Sequence, residues 1–269
     1  MFANRWITLC LLIFSISSVN AQRDSFNLRV GLNLVYYLPF DEPAVFYNGQ
    51  DANRLNTILN NPVTRDQIEE SLGGNTFQLV DYASDMRYVN AFAFRLDVQY
   101  RFNPRWQIDL QFLQANVEAQ GNYTLLVDRR NTNNQTNEPS IEPAQISGRE
   151  RRSHIQLGGS YLHWWSENFH SDLGAGLDFN FVEVDRNVTT ISDQNYSLPL
   201  FSNSFNQQQQ EITTSNTGFY LKLENAYELG SGYGVGLGGS IIFTSINVNE
   251  AVEASGAIGL INLSFTKAW

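Results

Sequence analysis

The segment AFAFRLDVQYRF, residues 91 to 102, alternates without a break. Phe92, Phe94, Leu96, Val98, Tyr100 and Phe102 fall on one side; Ala91, Ala93, Arg95, Asp97, Gln99 and Arg101 fall on the other. Strand side chains change face with period two, so this is a strand with an apolar stripe backed by a charged one. It is also long enough for a tilted bilayer crossing, which takes roughly 9–11 residues. The same pattern recurs down the chain. It predicts an all-β fold, an eight-stranded antiparallel up-and-down transmembrane β-barrel.

The first strand is read at about 26–38, with Phe26, Leu28, Val30, Leu32, Leu34, Tyr36 and Leu38 on the apolar face. The second is 91–102, and a tight Asn103-Pro104-Arg105 turn leads into the third at 106–117. Four more follow at 151–163, 169–182, 214–229 and 233–244, and the eighth, 256–269, ends at Trp269. The connections alternate. Those at 103–105, 164–168 and 230–232 are short, whereas 39–90, 118–150, 183–213 and 245–255 are long. Short periplasmic turns and long extracellular loops are the asymmetry of outer-membrane barrels, and the scheme leaves both ends in the periplasm.

Alternation does not say which face points out, since a soluble barrel would enclose its apolar face around a ligand. Two features predict the membrane orientation. Aromatic residues, including Trp106, Trp164, Trp165 and Tyr233, gather near the short turns, as an interfacial girdle requires. The opposite face carries both signs of charge: Arg95, Asp97, Arg101, Asp109, Asp172, Asp178, Lys222, Glu224 and Glu228. Inside a narrow lumen these are expected to form one charge network, because an unpaired buried charge is costly. The lumen-side glycines Gly174, Gly176, Gly234, Gly236 and Gly238 have two readings: a thin channel, or relief of crowding.

Residues 1–21 read as a signal peptide: Arg5, an apolar stretch from Trp6 to Ile16, and a small-x-small site ending at Ala21. The barrel then comprises 22–269, beginning at Gln22. The one cysteine, Cys10, lies in the leader, so disulfides, thiolate metal sites and a cysteine nucleophile are excluded from the mature chain. Losing Arg5 takes the net charge from −10 to −11, which argues against nucleic acid as a partner.

Taken together, these features resemble the small outer-membrane β-barrel proteins, the class of OmpX, the OmpA transmembrane domain, OmpW and PorT-like proteins. Ile261, Leu263, Phe265 and Trp269 at the C-terminal end resemble the signal read by the barrel-assembly machinery, with Lys267 departing from its apolar pattern. The resemblance implies outer-membrane lipid and lipopolysaccharide as surroundings. It also implies the assembly machinery as a transient partner, and another outer-membrane protein or secretion complex as a lasting one. Its OmpW-like members imply a narrow channel for small solutes as an alternative.

Candidate chemistry is sparse. His154 is placed facing the lumen, His163 at the membrane interface, and His170 beside Ser171 on opposite faces, the wrong arrangement for a base and its nucleophile. No catalytic, cofactor or metal site is assigned, and a lipid-modifying enzyme is the third reading. Arg129-Arg130 and Arg149 with Arg151-Arg152 flank the second long loop, as solvated residues or as a grip on lipid phosphates. The long loops make up about half the mature chain, so function is expected there. The polar run 131–137 belongs to one of them. Within 39–90, Thr64 with Gln67 suggests a capping box, Val63 with Ile68 a staple, and Gly73 a helix end. Two short helices are expected over the mouth, packed on the other loops; the cap they form is also a docking surface, with Leu55, Ile58, Leu59, Ile68 and Leu72 as the candidate partner contact.

Overall fold

A computed structural model describes residues 27–40, 44–50, 54–129, 139–198, 200–201, 208–209, 213–249 and 252–269. The leader 1–21, Gln22, Phe26, Arg130 and the polar run 131–137 lie outside the described residues.

Eight strands close on themselves: β1 (Leu28–Pro39), β2 (Ala91–Asn103), β3 (Trp106–Asp128), β4 (Ser140–Trp164), β5 (Phe169–Ile191), β6 (Thr213–Glu228), β7 (Tyr233–Asn249) and β8 (Val252–Ala268). Each pairs antiparallel with the next, and β1 completes the ring against β8 from Arg29 opposite Ala268 to Pro39 opposite Ile258. Closure leaves every backbone group in the span a partner, which is what hydrocarbon demands.

The short-turn ends of the strands fall close to where the alternation places them. The far ends do not, because β3, β4 and β5 run well past 117, 151 and 182. The reason is a reversal of polarity along one strand. Up to Phe112, β3 turns Trp106, Ile108, Leu110 and Phe112 outward, and Gln107, Asp109 and Gln111 inward. Beyond it the outward residues are Gln114, Asn116, Glu118 and Gln120, while Leu113, Ala115, Val117 and Ala119 are buried inside. Ile155 to Ser153 in β4 and Phe181 to Glu183 in β5 mark the same crossing. Below that line lipid bathes the outside and the lumen is polar. Above it the outside is wet and the inside must supply an apolar core.

The raised part of β3–β5 thus stands as a wall above the membrane. Its edges are covered: Thr76–Asp81 and Arg87–Tyr88 pair with β3, and Gln194–Ser197 pairs with β5. Covered edges do not recruit foreign strands. Residues 44–50 and 54–90 fold into the hollow of the wall. There, α1 (Leu55–Leu59) precedes α2 (Pro62–Ser71). Two helices are present as expected, but α2 starts earlier than the Thr64 pattern suggests. Asn61 is its cap, accepting from the Val63 and Thr64 amides, with Pro62 in the first turn. Val63 is 68% exposed and makes no staple with the buried Ile68. Gly73, at φ 75°, closes the helix as read.

Candidate functional site

Two stacked interiors fill the barrel. The lower one, inside the membrane span, is polar and built in layers. At the periplasmic end, Arg29 and Arg101 both approach Glu228, the Arg101 contact measuring 3.6 Å. They line a cleft of about 650 Å³ together with Asn27 and Tyr233. Higher up, Lys222 Nζ lies 2.9 Å from Asp109 and 3.1 Å from Asp172. Gln107 Nε2 donates to both of those carboxylates at 2.9 Å. Across the lumen, Arg95 Nε donates to Asp97 at 2.8 Å and Arg95 Nη2 lies 3.7 Å from Glu224, which also accepts from Asn262 and Ser264. Above these, His154 Nδ1 lies 3.1 Å from Asp178, and Gln156 donates to the same carboxylate at 3.0 Å. Eight of the nine residues expected in the lumen are therefore drawn into ion pairs, and Asp178 is held by His154 and Gln156.

The glycines explain why this fits. A Cβ at Gly174 would meet Lys222 and Ser160; at Gly176 or Gly158 it would meet Tyr220; at Gly236 it would meet Ser264 and Glu224. Their missing side chains make room for Tyr220, Lys222 and Glu224, three successive inward residues of β6. Of the two readings of these glycines, relief of crowding is the one the packing supports.

The upper interior starts where the lower one ends. Glu150 accepts from Arg152 at 2.9 Å and from the Tyr88 hydroxyl at 2.6 Å, and the Arg152 guanidinium lies 4.3 Å over the Tyr88 ring. Tyr47 joins this cluster. Burial, and next the charge of Glu150, hold its phenol protonated well above the usual tyrosine range. Higher still, burial likewise raises Tyr123, whose hydroxyl is 2.7 Å from Thr189. Around them pack Phe46, Leu55, Leu59, Ile68, Phe77, Met86, Leu113, Leu125 and Ile146, all at most 2% exposed. The Tyr47 ring lies over Gly148, where any Cβ would overlap it. Gly148→Val is therefore expected to lift residues 44–50 from the wall. Protease added outside vesicles should then cut between 44 and 90, while the membrane-embedded strands stay protected; an uncut chain would refute this packing account.

Several site assignments change. Leu55, Leu59 and Ile68 are core residues of the cap and Ile58 and Leu72 pack on it, so none offers a free partner contact. Arg152 is not on a solvated flank: it points inward and is fully buried. Arg149 and Arg151 do face out, paired with Glu118 and Glu183. Among the girdle residues, Trp106, Trp165, Tyr233 and Phe265 are exposed on the outer surface, while Trp269 donates its amide to Leu28. Trp164 does not face lipid. Its ring packs on the inward His170 at 4.5 Å and under Arg101 at 5.3 Å, because one-residue parity from Tyr161 and His163 sends it to the lumen side. Lys267 reaches the Ser231 carbonyl and lies 4.0 Å over the Tyr233 ring, which accommodates a cation at the interface. The pairing of Glu150 with Arg152 was hidden in sequence by the lack of an apolar stripe there.

A second aromatic row, with Tyr36 packed on Phe92 at 5.3 Å and Phe219 stacked on Phe243 at 4.8 Å, bounds the outer belt on the extracellular side. A closed ring with an apolar belt between aromatic rows is the construction of an outer-membrane β-barrel, and it places this chain in such a membrane. No helix among the described residues is long and apolar enough to cross. No protein-family model matches the sequence, and no curated protein matches it. Among solved structures, the chain is similar to the neisserial surface protein A, with 8% identity and a TM-score of 0.47 over 90% of this chain and 97% of that one. It is also similar to the outer membrane protein OprG of Pseudomonas aeruginosa, with 10% identity and a TM-score of 0.41 over 89% and 95%. The attachment invasion locus protein Ail of Yersinia pestis is 9% identical, with a TM-score of 0.38 over 90% and 99%.

Proposed function

We propose that this protein is a non-enzymatic outer-membrane barrel that acts as an anchored binding or accessory subunit through its extracellular wall. The observation that carries this reading is the division of the interior. The span is packed with paired charges, the mouth is filled by residues 44–50 and 54–90, and the chain's extra mass is invested in a wall outside the membrane. A folded wall with covered edges is a surface for contact rather than a path for solutes. His154 is fully buried and engaged by Asp178 and Tyr37, which favours a structural role over a catalytic one.

The contact surface is proposed to lie on the far tip of the wall, where Val80 and Ile141 are 60% and 70% exposed. Affinity purification from detergent-solubilised outer membrane, tagged after Gln22, is expected to recover a second membrane protein at fixed stoichiometry. Val80→Asp with Ile141→Asp should abolish recovery of that protein and leave barrel melting unchanged. Discrete openings in a planar bilayer, carried by the unmodified protein, would sink the proposal in favour of a channel.

A further inference from the structure

We infer that the outer face of β4 and β5 just above the membrane is a binding site for the phosphate of an outer-leaflet lipid headgroup, held by Arg149, Arg151 and Arg186. The argument begins with a defect in the ladder. Glu150 of β4 pairs with Val184 of β5, and the next pair is Arg149 with Arg186, so Asp185 is bulged out of the register. The bulge sets two outward guanidiniums directly opposite each other. Like charges at such a position destabilise a sheet, and bulges commonly serve to re-aim a side chain. An anion between the two removes the penalty.

Charge and position agree with that reading. Arg149 is held by Glu118 and Arg151 by Glu183 at 3.2 Å, with all four side chains between 33% and 44% exposed. Arg186 is exposed and has no ion-pair partner among the described residues. Exposed pairs of this kind are weak, about 0–1 kcal/mol, so an incoming phosphate competes with the carboxylates on favourable terms. Arg151 and Arg149 stand four and six residues beyond Ile155, the last lipid-facing residue of β4. With a rise of ~3.3 Å per residue and a tilt of ~40°, that is roughly 10–15 Å above the hydrocarbon. Long arginine side chains span the remaining distance down to the headgroups. Guanidinium forks match phosphate oxygens two at a time, which fits three arginines to one or two phosphate groups.

The test uses the mature barrel purified in detergent and exposed to lipid A carrying its phosphates, or to the same lipid dephosphorylated, with retained lipid counted by native mass spectrometry. Phosphorylated lipid A should be retained at least about tenfold better, and Arg149→Gln with Arg186→Gln should erase the difference. Glu118→Gln, which frees Arg149, should strengthen retention and serves if the double variant fails to fold. Inorganic phosphate at millimolar concentration should not displace the lipid. Equal retention of the two lipids, or an unchanged ratio in either variant, would overturn the site. Displacement by millimolar phosphate would overturn the lipid as its occupant.

Discussion

Replacing Lys222 by Met is expected to cost the barrel about 3–5 kcal/mol, the loss seen when one partner of a buried ion pair is removed and the other charge stays behind. Here two charges stay behind. Asp109 and Asp172 are each at most 4% exposed and share the Lys222 ammonium at 2.9 and 3.1 Å. Met fills the same length beside Gly174, so the effect isolates charge from volume. Urea titration of the barrel in phospholipid vesicles, read by the heat-dependent shift in gel mobility, measures it. The companion variant carries Lys222→Met, Asp109→Asn and Asp172→Asn together. Gln107 and Ser160 can still donate to the amide oxygens, so most of the loss should return. A Lys222→Met barrel within about 1 kcal/mol of the unmodified one would mean that water, not lysine, balances the two carboxylates.

The sequence speaks clearly where one solvent touches each face for the whole length of a strand. Between the turn at 103–105 and Phe112, lipid lies outside and paired polar groups lie inside, so alternation gives strand, face and register. Above Phe112, Ile155 and Phe181 the two environments exchange places. An apolar stripe followed along one face ends there, although the strand continues with its apolar residues on the other side. That is why Glu118 to Val127 of β3 read as loop. Leu55, Ile58, Leu59, Ile68 and Leu72 carry two readings for the same reason, packing or partner contact: a stripe at helical spacing looks alike whether it faces a partner or its own barrel mouth, and here it is packed. Which is true depends on whether β3–β5 rise high enough to offer a wall, and no apolar stripe along one face signals that rise. Trp164 differs in kind: its aromatic ring suits the girdle, but its parity points inward.

The glycines were the least legible feature, because their purpose lies on another strand, and the resulting prediction is severe. Gly176→Val is expected to prevent assembly. Gly158 and Gly176 face each other across β4 and β5, and Gly176 is the register partner of Tyr220 on β6. A Cβ at Gly176 would strike the Leu157 carbonyl, the Gly158 Cα, and the Tyr220 ring at 2.8 Å. A ring can rotate, but a carbonyl already bonded in the ladder cannot move without opening the sheet. Tyr220→Ala in the same chain should therefore rescue folding only in part, whereas a clash with the ring alone predicts full rescue. Gly159→Ala is the control: its Cβ would face outward with no atom closer than the Gln107 carbonyl at 3.7 Å, and folding yield should not change. Refolding into detergent micelles, scored by the fraction of chain that becomes heat-modifiable, distinguishes the three. If Gly176→Val folds as well as Gly159→Ala, the glycines do not make room for Tyr220, and the lumen is looser than its packing implies.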